Sequence, residues 1–213
     1  MVRQDPPLVV FMTCCLSHVA MVPAVLQLLQ RKWMYEAFVT MFSGAMSFMY
    51  HTCQAFRTEL FLSELQWHRL DNIGCLLSFG MFWIYLSIIK DPVKDAYLKY
   101  ASLFVAFVSQ EKDPWNVTYT FVPIAMFALV PIFVHAAIHR RVPAYDWKNF
   151  AAGFGLLAVA LPFFIAGLDD DNDPFRFYHG MWHVFGGIAS LYLWRIVKSP
   201  GAVALQPLPE KLL

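Results

Sequence analysis

The sequence predicts an all-α protein, a polytopic bundle of seven transmembrane helices with its N-terminus outside and its C-terminus cytoplasmic. Three observations carry that prediction. Of 213 residues, 59% are hydrophobic and only 15% charged, with a mean hydropathy of +0.50, whereas a soluble domain carries roughly 25% charged residues. The apolar residues fall into seven runs, most of them near the roughly 20 residues that a bilayer-spanning helix needs. The cations between the runs are divided unequally between the two sides of the implied membrane.

The first run, Leu8–Leu29, stops at Arg31-Lys32. The second, Met34–Phe56, carries Ser47, Tyr50, His51 and Cys53 toward its far end. The third is expected to start near Leu70-Asp71 and to reach Ile89. The fourth, Pro92–Ser109, is the weakest, because its clean apolar core is only Ala101–Val108 and Lys99 must snorkel. The fifth runs over Thr118–Ile138 and the sixth over Phe150–Leu168. The seventh follows Asp173-Pro174, a good cap with proline at the first helical position, and from Phe177 to Ile196 it holds only Arg195 as a formal charge. Residues 1–198 read as one seven-helix transmembrane domain and 199–213 as a flexible cytoplasmic tail. No cleavable signal precedes the first run.

With the N-terminus outside, eleven of the sixteen Lys and Arg residues fall inside, among them Arg31, Lys32, Arg140 and Arg141. Only five, Arg3, Arg57, Arg69, Lys112 and Arg176, fall outside. The net charge of +1 offers no basic surface for nucleic acid. The partners expected are membrane lipids, with a homo-oligomer left open, in the plasma membrane or a membrane of the secretory pathway. The four cysteines, Cys14, Cys15, Cys53 and Cys75, form no CxxC and no disulfide ladder. Cys14 and Cys15 read as packing residues rather than ligands, with lipidation as the second reading.

His179 and His183 stand four apart and share one face of the seventh helix. An ionisable pair within a span is costly and points to function, and two imidazoles at this spacing suit a transition metal. In the predicted topology His51, Asp71, His179 and His183 reach one membrane depth at the outer end. Three histidine nitrogens with an open fourth position form a zinc site of catalytic type, at which a water molecule's pKa falls toward ~7. Asp71 is placed to take a proton from that water or to orient it. Ser47, one turn before His51, is placed to bond the water or an oxyanion. A purely structural metal site fits the same set. Taken alone, Asp71 reads as a helix N-terminal residue favoured by the dipole, and Ser47 as a packing residue.

Ser47-x3-His51, Asp71 and His179-x3-His183, in that helix order, resemble the pattern of the CREST superfamily of seven-helix membrane proteins. That superfamily includes alkaline ceramidases and the progestin and adipoQ receptors. The strings Tyr50-His51-Thr52-Cys53 and Phe177-Tyr178-His179 are similar to the branch holding myomaker and the transmembrane phospholipase that acts on GPI anchors. The resemblance implies Zn2+ on His51, His179 and His183, with Asp71 and Ser47 as the catalytic pair and a lipid amide or ester as substrate. It leaves two other classes open: a non-enzymatic membrane-remodelling or cell-fusion factor with structural zinc, and a receptor of the progestin and adipoQ type. The chain departs from these relatives in lacking the large extracellular region of the GPI-cleaving members and the cysteine-rich tail of vertebrate myomaker. Its 54–68 loop also holds no cysteine to pair with Cys53.

The remaining polar features have ordinary readings. His68 is expected to be an exposed loop residue, with a role beside the metal as its alternative. His135 and His139, also four apart, are expected at the inner end as interfacial residues. Trp33, Trp67, Trp115, Trp147 and Trp194 fit an aromatic belt. The acidic run at Asp169 reads as a solvated loop, and Asn116-Val117-Thr118 as a sequon on the outer side.

Overall fold

The computed structural model describes residues 5–141 and 143–198; the predicted tail, 199–213, lies outside them. The described chain is helical, and two isolated bridge pairs are its only extended pairings. Seven helices follow one another: α1 Pro7–Gln30, α2 Met34–Phe56, α3 Glu64–Leu86, α4 Pro92–Lys112, α5 Thr118–His139, α6 Trp147–Ala166 and α7 Phe177–Leu193.

Local chemistry sets the ends. Ser63 and Gln66 form a reciprocal capping box that starts α3 at Glu64. The third helix therefore begins earlier than expected, and Asp71 lies about two turns inside it rather than at its head. Asp91 caps α4 through the N–H groups of Val93 and Lys94, and Asp146 caps α6 through Lys148 and Asn149. Arg57 closes α2 with a left-handed φ of 49°. α1 is irregular: its backbone is π-helical over Phe11–Cys15 and 3-10 over Leu16–Met21 before returning to α at Val22. Pro23 accounts for the tight stretch, since it offers no N–H and its ring crowds the carbonyl one turn earlier.

The helices alternate up and down. One end is closed by Arg31 donating to Trp194 O at 2.6 Å, Val197 N donating to the Tyr85 hydroxyl at 2.7 Å and Lys99 pairing with Glu36 at 2.8 Å. The other end is closed by Gln54 donating to Asp170 at 2.8 Å, Asn72 donating to Pro114 O at 2.8 Å and Arg69 pairing with Glu111 at 3.1 Å. α3 packs on α2, α4 and α5, while α7 packs on α1 and α6. The apolar core, with Leu28, Ile73, Leu76, Phe82 and Trp194 buried, sits toward the first of these ends.

Three helices, α1, α5 and α6, are long and apolar enough to cross a membrane. Their apolar faces point outward: only 11% of the most apolar stretch of α6 is buried, and Leu129, Ile132, Phe133 and Ile165 are exposed. Such a surface is suited to lipid rather than water. The other four helices are less apolar or shorter because they turn polar side chains, such as Ser43, Ser47 and His51 on α2, into the bundle.

Several expectations need correction. Lys99 does not simply snorkel; it is held between Glu36 and Asp95, the latter at 2.7 Å. Trp67 and Trp194 are buried rather than belt residues, because the indole of Trp67 donates to Leu60 O and Trp194 packs against Phe82 and Tyr85. The acidic run is solvated over 169–172 as expected, but it is tied down at its end: Asp170 and Asp173 both pair with Arg176, and Asp173 is fully buried.

Candidate metal centre

The entry to α7 fixes the site. A 3-10 turn, Pro174–Arg176, precedes the helix, with Phe175 and Arg176 at left-handed φ values of 56° and 54°. Such conformations cost energy in non-glycine residues and persist where surrounding contacts over-determine them. Beyond this turn the Asp173 carboxylate accepts from Tyr178 N at 2.7 Å and His179 N at 3.0 Å. Asp173 is thus the expected cap, but it acts past Pro174, which stands in the turn and not in the α-helix. Arg176 donates to Gly167 O at 2.9 Å and pairs with Asp170 and Asp173, tying the α6–α7 loop down. In that loop, desolvation holds the Asp170 carboxyl above its ordinary range against the pull of Arg176. A hydrogen bond from Asn172 lowers that of Asp169.

His179 and His183 follow one turn apart, with ring centres 4.7 Å from each other. His51, fully buried on α2, stands 4.6 Å from His179 and 5.1 Å from His183, centre to centre. The three imidazoles from two distant stretches therefore converge. Cys14 of α1 joins them: its sulfur and one nitrogen from each histidine all lie within 4.8 Å of one another.

Neighbouring groups fix the ring orientations. Gln54 Oε1 lies 3.2 Å from His51 Nδ1 and, being only an acceptor, requires the proton there. The Gln54 amide in turn donates to Asp170. His51 Nε2 is left as a lone pair, buried and without a partner. Ser17 donates its hydroxyl proton to Cys14 O, so its oxygen accepts from His183 Nδ1 at 3.0 Å. With the proton on Nδ1, His183 Nε2 carries the lone pair. His179 Nδ1 is also buried without a hydrogen bond. A buried polar atom left unpaired costs about 1–3 kcal/mol, and ligating histidines characteristically have their other nitrogen bonded in this way. The orphaned nitrogens and the N/S donor set fit a bound metal ion.

Asp71 and Ser47 line a cavity of about 720 Å³ that also meets His179 and His183, within the roughly 300–1,000 Å³ common for ligand sites. Ser47 and Asp71 lie close enough on this wall for the hydroxyl and the carboxyl to interact. Phe79, Phe164 and Trp182 supply apolar wall. His68 also lines this cavity, correcting its reading as an exposed loop residue. It lies on α3, stacks on Trp115 at 3.8 Å and 14°, and stands beside Tyr50 at 4.8 Å.

His18 lies against His183 with ring centres 4.0 Å apart and planes tilted by 43°, its Nδ1 2.8 Å from Cys15 O and its Nε2 buried without a partner. Cys14, Ser17, His18, Gln54 and Arg176 are site residues that pattern reasoning misses. The Ser-His pair inside the otherwise apolar first run is a usable signal, since polar groups within a span are rarely idle.

Residues 7–184 match the model of a family described as Protein of unknown function (DUF3522), a span that contains every site residue named above. No curated protein matches the chain.

Proposed function

The chain belongs to the DUF3522 family, and we propose that it is a seven-span membrane protein of the CREST type. In this reading zinc on His51, His179 and His183 serves hydrolysis of an amide or ester bond in a membrane lipid. One observation carries the reading. Three imidazoles, two of them with buried unpaired nitrogens, gather beside a largely apolar cavity that His179 and His183 line together with a carboxylate and a hydroxyl. A soluble substrate needs no such apolar wall, whereas an acyl chain does.

The bias of Lys and Arg supports placing the histidine end outside, with α1 through α7 all crossing the bilayer. Zinc bound there supplies a Lewis acid for the carbonyl and a water of lowered pKa. Asp71 accepts the proton of the attacking water at its carboxylate and returns it to the leaving amine or alcohol. Ser47, beside Asp71 on the cavity wall, orients the carboxylate. Phe79, Phe164 and Trp182 exclude bulk water and hold the acyl chain. The Arg176–Asp170–Gln54 chain keeps the loop closed over His51.

The test is release of fatty acid from ceramide and from diacyl phospholipid by the full chain in lipid nanodiscs. Asp71→Ala is expected to lower turnover about 10²–10⁴-fold, the usual worth of a general base, with zinc content unchanged. If wild type with one zinc bound releases nothing from either lipid, the hydrolase reading falls. The rival reading is a membrane-remodelling or cell-fusion factor in which the metal clamps α2 and α7. The nearness of Cys14, a ligand type frequent in structural zinc sites, favours it.

A further inference from the structure

We infer that the thiol of Cys14 is the fourth ligand of the metal centre, so that its resting state is a closed set of three imidazoles and one thiolate. The inference rests on the metal-binding half of the reading above and is independent of lipid hydrolysis.

Cys14 is fully buried. Successive residues on a helix point about 100° apart, so only one of Cys14 and Cys15 can face the histidines. Cys15 faces elsewhere, its sulfur 3.7 Å from the Thr52 hydroxyl of α2. The Cys14 sulfur belongs instead to the group of atoms within 4.8 Å of one another. The same group holds His51, fully buried, whose Nε2 is without any hydrogen bond.

The backbone is arranged to bring this sulfur in. A β-carbon on Gly180 would lie 2.2 Å from Thr13 O and 3.5 Å from Cys14 Cα. One on Gly187 would lie 2.7 Å from the Ala20 carbonyl carbon. Only glycine at these two positions lets α1 rest directly on α7. The π-helical stretch Phe11–Cys15 falls at that contact, where such turns commonly re-aim side chains at functional sites.

Metal–ligand bonds of about 2.0–2.3 Å place tetrahedral ligand atoms about 3.3–3.8 Å apart. The present group needs to contract by about an ångström to reach that spacing. His18 is the competing fourth ligand, and the geometry disfavours it. Its ring lies against that of His183 at 4.0 Å, stands 6.0 Å from His51, and lies outside the converging group. On metal binding the thiol proton leaves to solvent, as ligation requires. A closed site lacks the open position that catalytic zinc keeps. Lipid hydrolysis at this centre therefore needs Cys14 displaced or a fifth ligand admitted.

The test is the absorption spectrum of the detergent-purified full chain loaded with Co(II), with metal content measured on the same sample. Wild type is expected to show a sulfur-to-cobalt charge-transfer band in the near ultraviolet. Cys14→Ser should abolish that band while retaining cobalt on the three histidines. Should Cys14→Ser fail to fold, Cys15→Ser, Cys53→Ser and Cys75→Ser decide, since the chain has four cysteines. Retention of the band in all three assigns it to Cys14, and loss in any one overturns the inference. Cobalt bound to wild type without the band overturns the fourth ligand and leaves the three-histidine site standing. No cobalt bound by folded wild type overturns both.

Discussion

Two pairs of histidines stand four apart in this chain, and they meet opposite fates. His135 and His139 lie on the last turn of α5, which is π-helical after Pro131, with ring centres 5.6 Å apart. His135 Nε2 is 2.9 Å from Leu86 O and 3.1 Å from the Tyr145 hydroxyl, which itself donates to Leu86 O. That imidazole is spent on closing one end of the bundle. At the opposite end, His179 and His183 meet a third imidazole, and His179 Nδ1 and His51 Nε2 are buried without a protein partner. Spacing on a helix makes two rings neighbours. Whether they can bind a metal depends on what other helices bring: a hydroxyl and a carbonyl at one end, lone pairs and a thiol at the other.

The sharpest way to break this contrast is metal content. His51→Ala and His183→Ala should each take the purified protein from about one bound metal, the number one tetrahedral set can hold, to almost none, while His135→Ala and His139→Ala keep it. Equal loss from both pairs, by elemental analysis, would show the contrast to be false.

Next in size is the contact between α1 and α7. Gly180→Ala places a methyl 2.2 Å from a backbone oxygen, and overpacking of this kind costs about 1–3 kcal/mol. Gly155→Ala and Gly186→Ala, whose β-carbons meet nothing within 4 Å, should gain up to about 1 kcal/mol from helix propensity. Thermal unfolding in detergent should order the three accordingly. A Gly180→Ala protein as stable as Gly186→Ala would mean that α1 does not sit where it is placed.

Gln54→Ala removes the acceptor that orients His51 and should weaken metal binding about 10–100-fold, as loss of such supporting groups does. Chelator competition reads this directly. Unchanged affinity would mean that the His51 ring is held by packing alone. The smallest effect belongs to the other end. Tyr145→Phe deletes the hydroxyl shared by Leu86 O and His135 and should cost about 1 kcal/mol with no change in metal content.

Much of this architecture is legible in the chain itself. The seven helices follow from apolar runs bounded by charges, because burying backbone polar groups in an apolar medium demands internal hydrogen bonds. The boundaries are less legible. α3 starts at Glu64 rather than near Leu70, since the Ser63–Gln66 box is made of polar residues that an apolar count passes over. His51, His179 and His183 can be grouped because an up-and-down bundle returns alternate helix ends to one side. His68 escapes a pattern reading because its neighbour, Trp115, is far along the chain and stacks on it only in the folded bundle.

Hydrophobic periodicity and chain order are enough to dictate the helical class, the number of helices and the end of the bundle at which the imidazoles gather. They do not dictate which atoms are left without partners, or that α1 enters the site. Those outcomes depend on close approach between backbones at Gly180 and Gly187 and on the left-handed turn at Phe175-Arg176. None of these is a property of a local pattern. Each is set by two segments, distant in sequence, that compete for the same space once the bundle has packed.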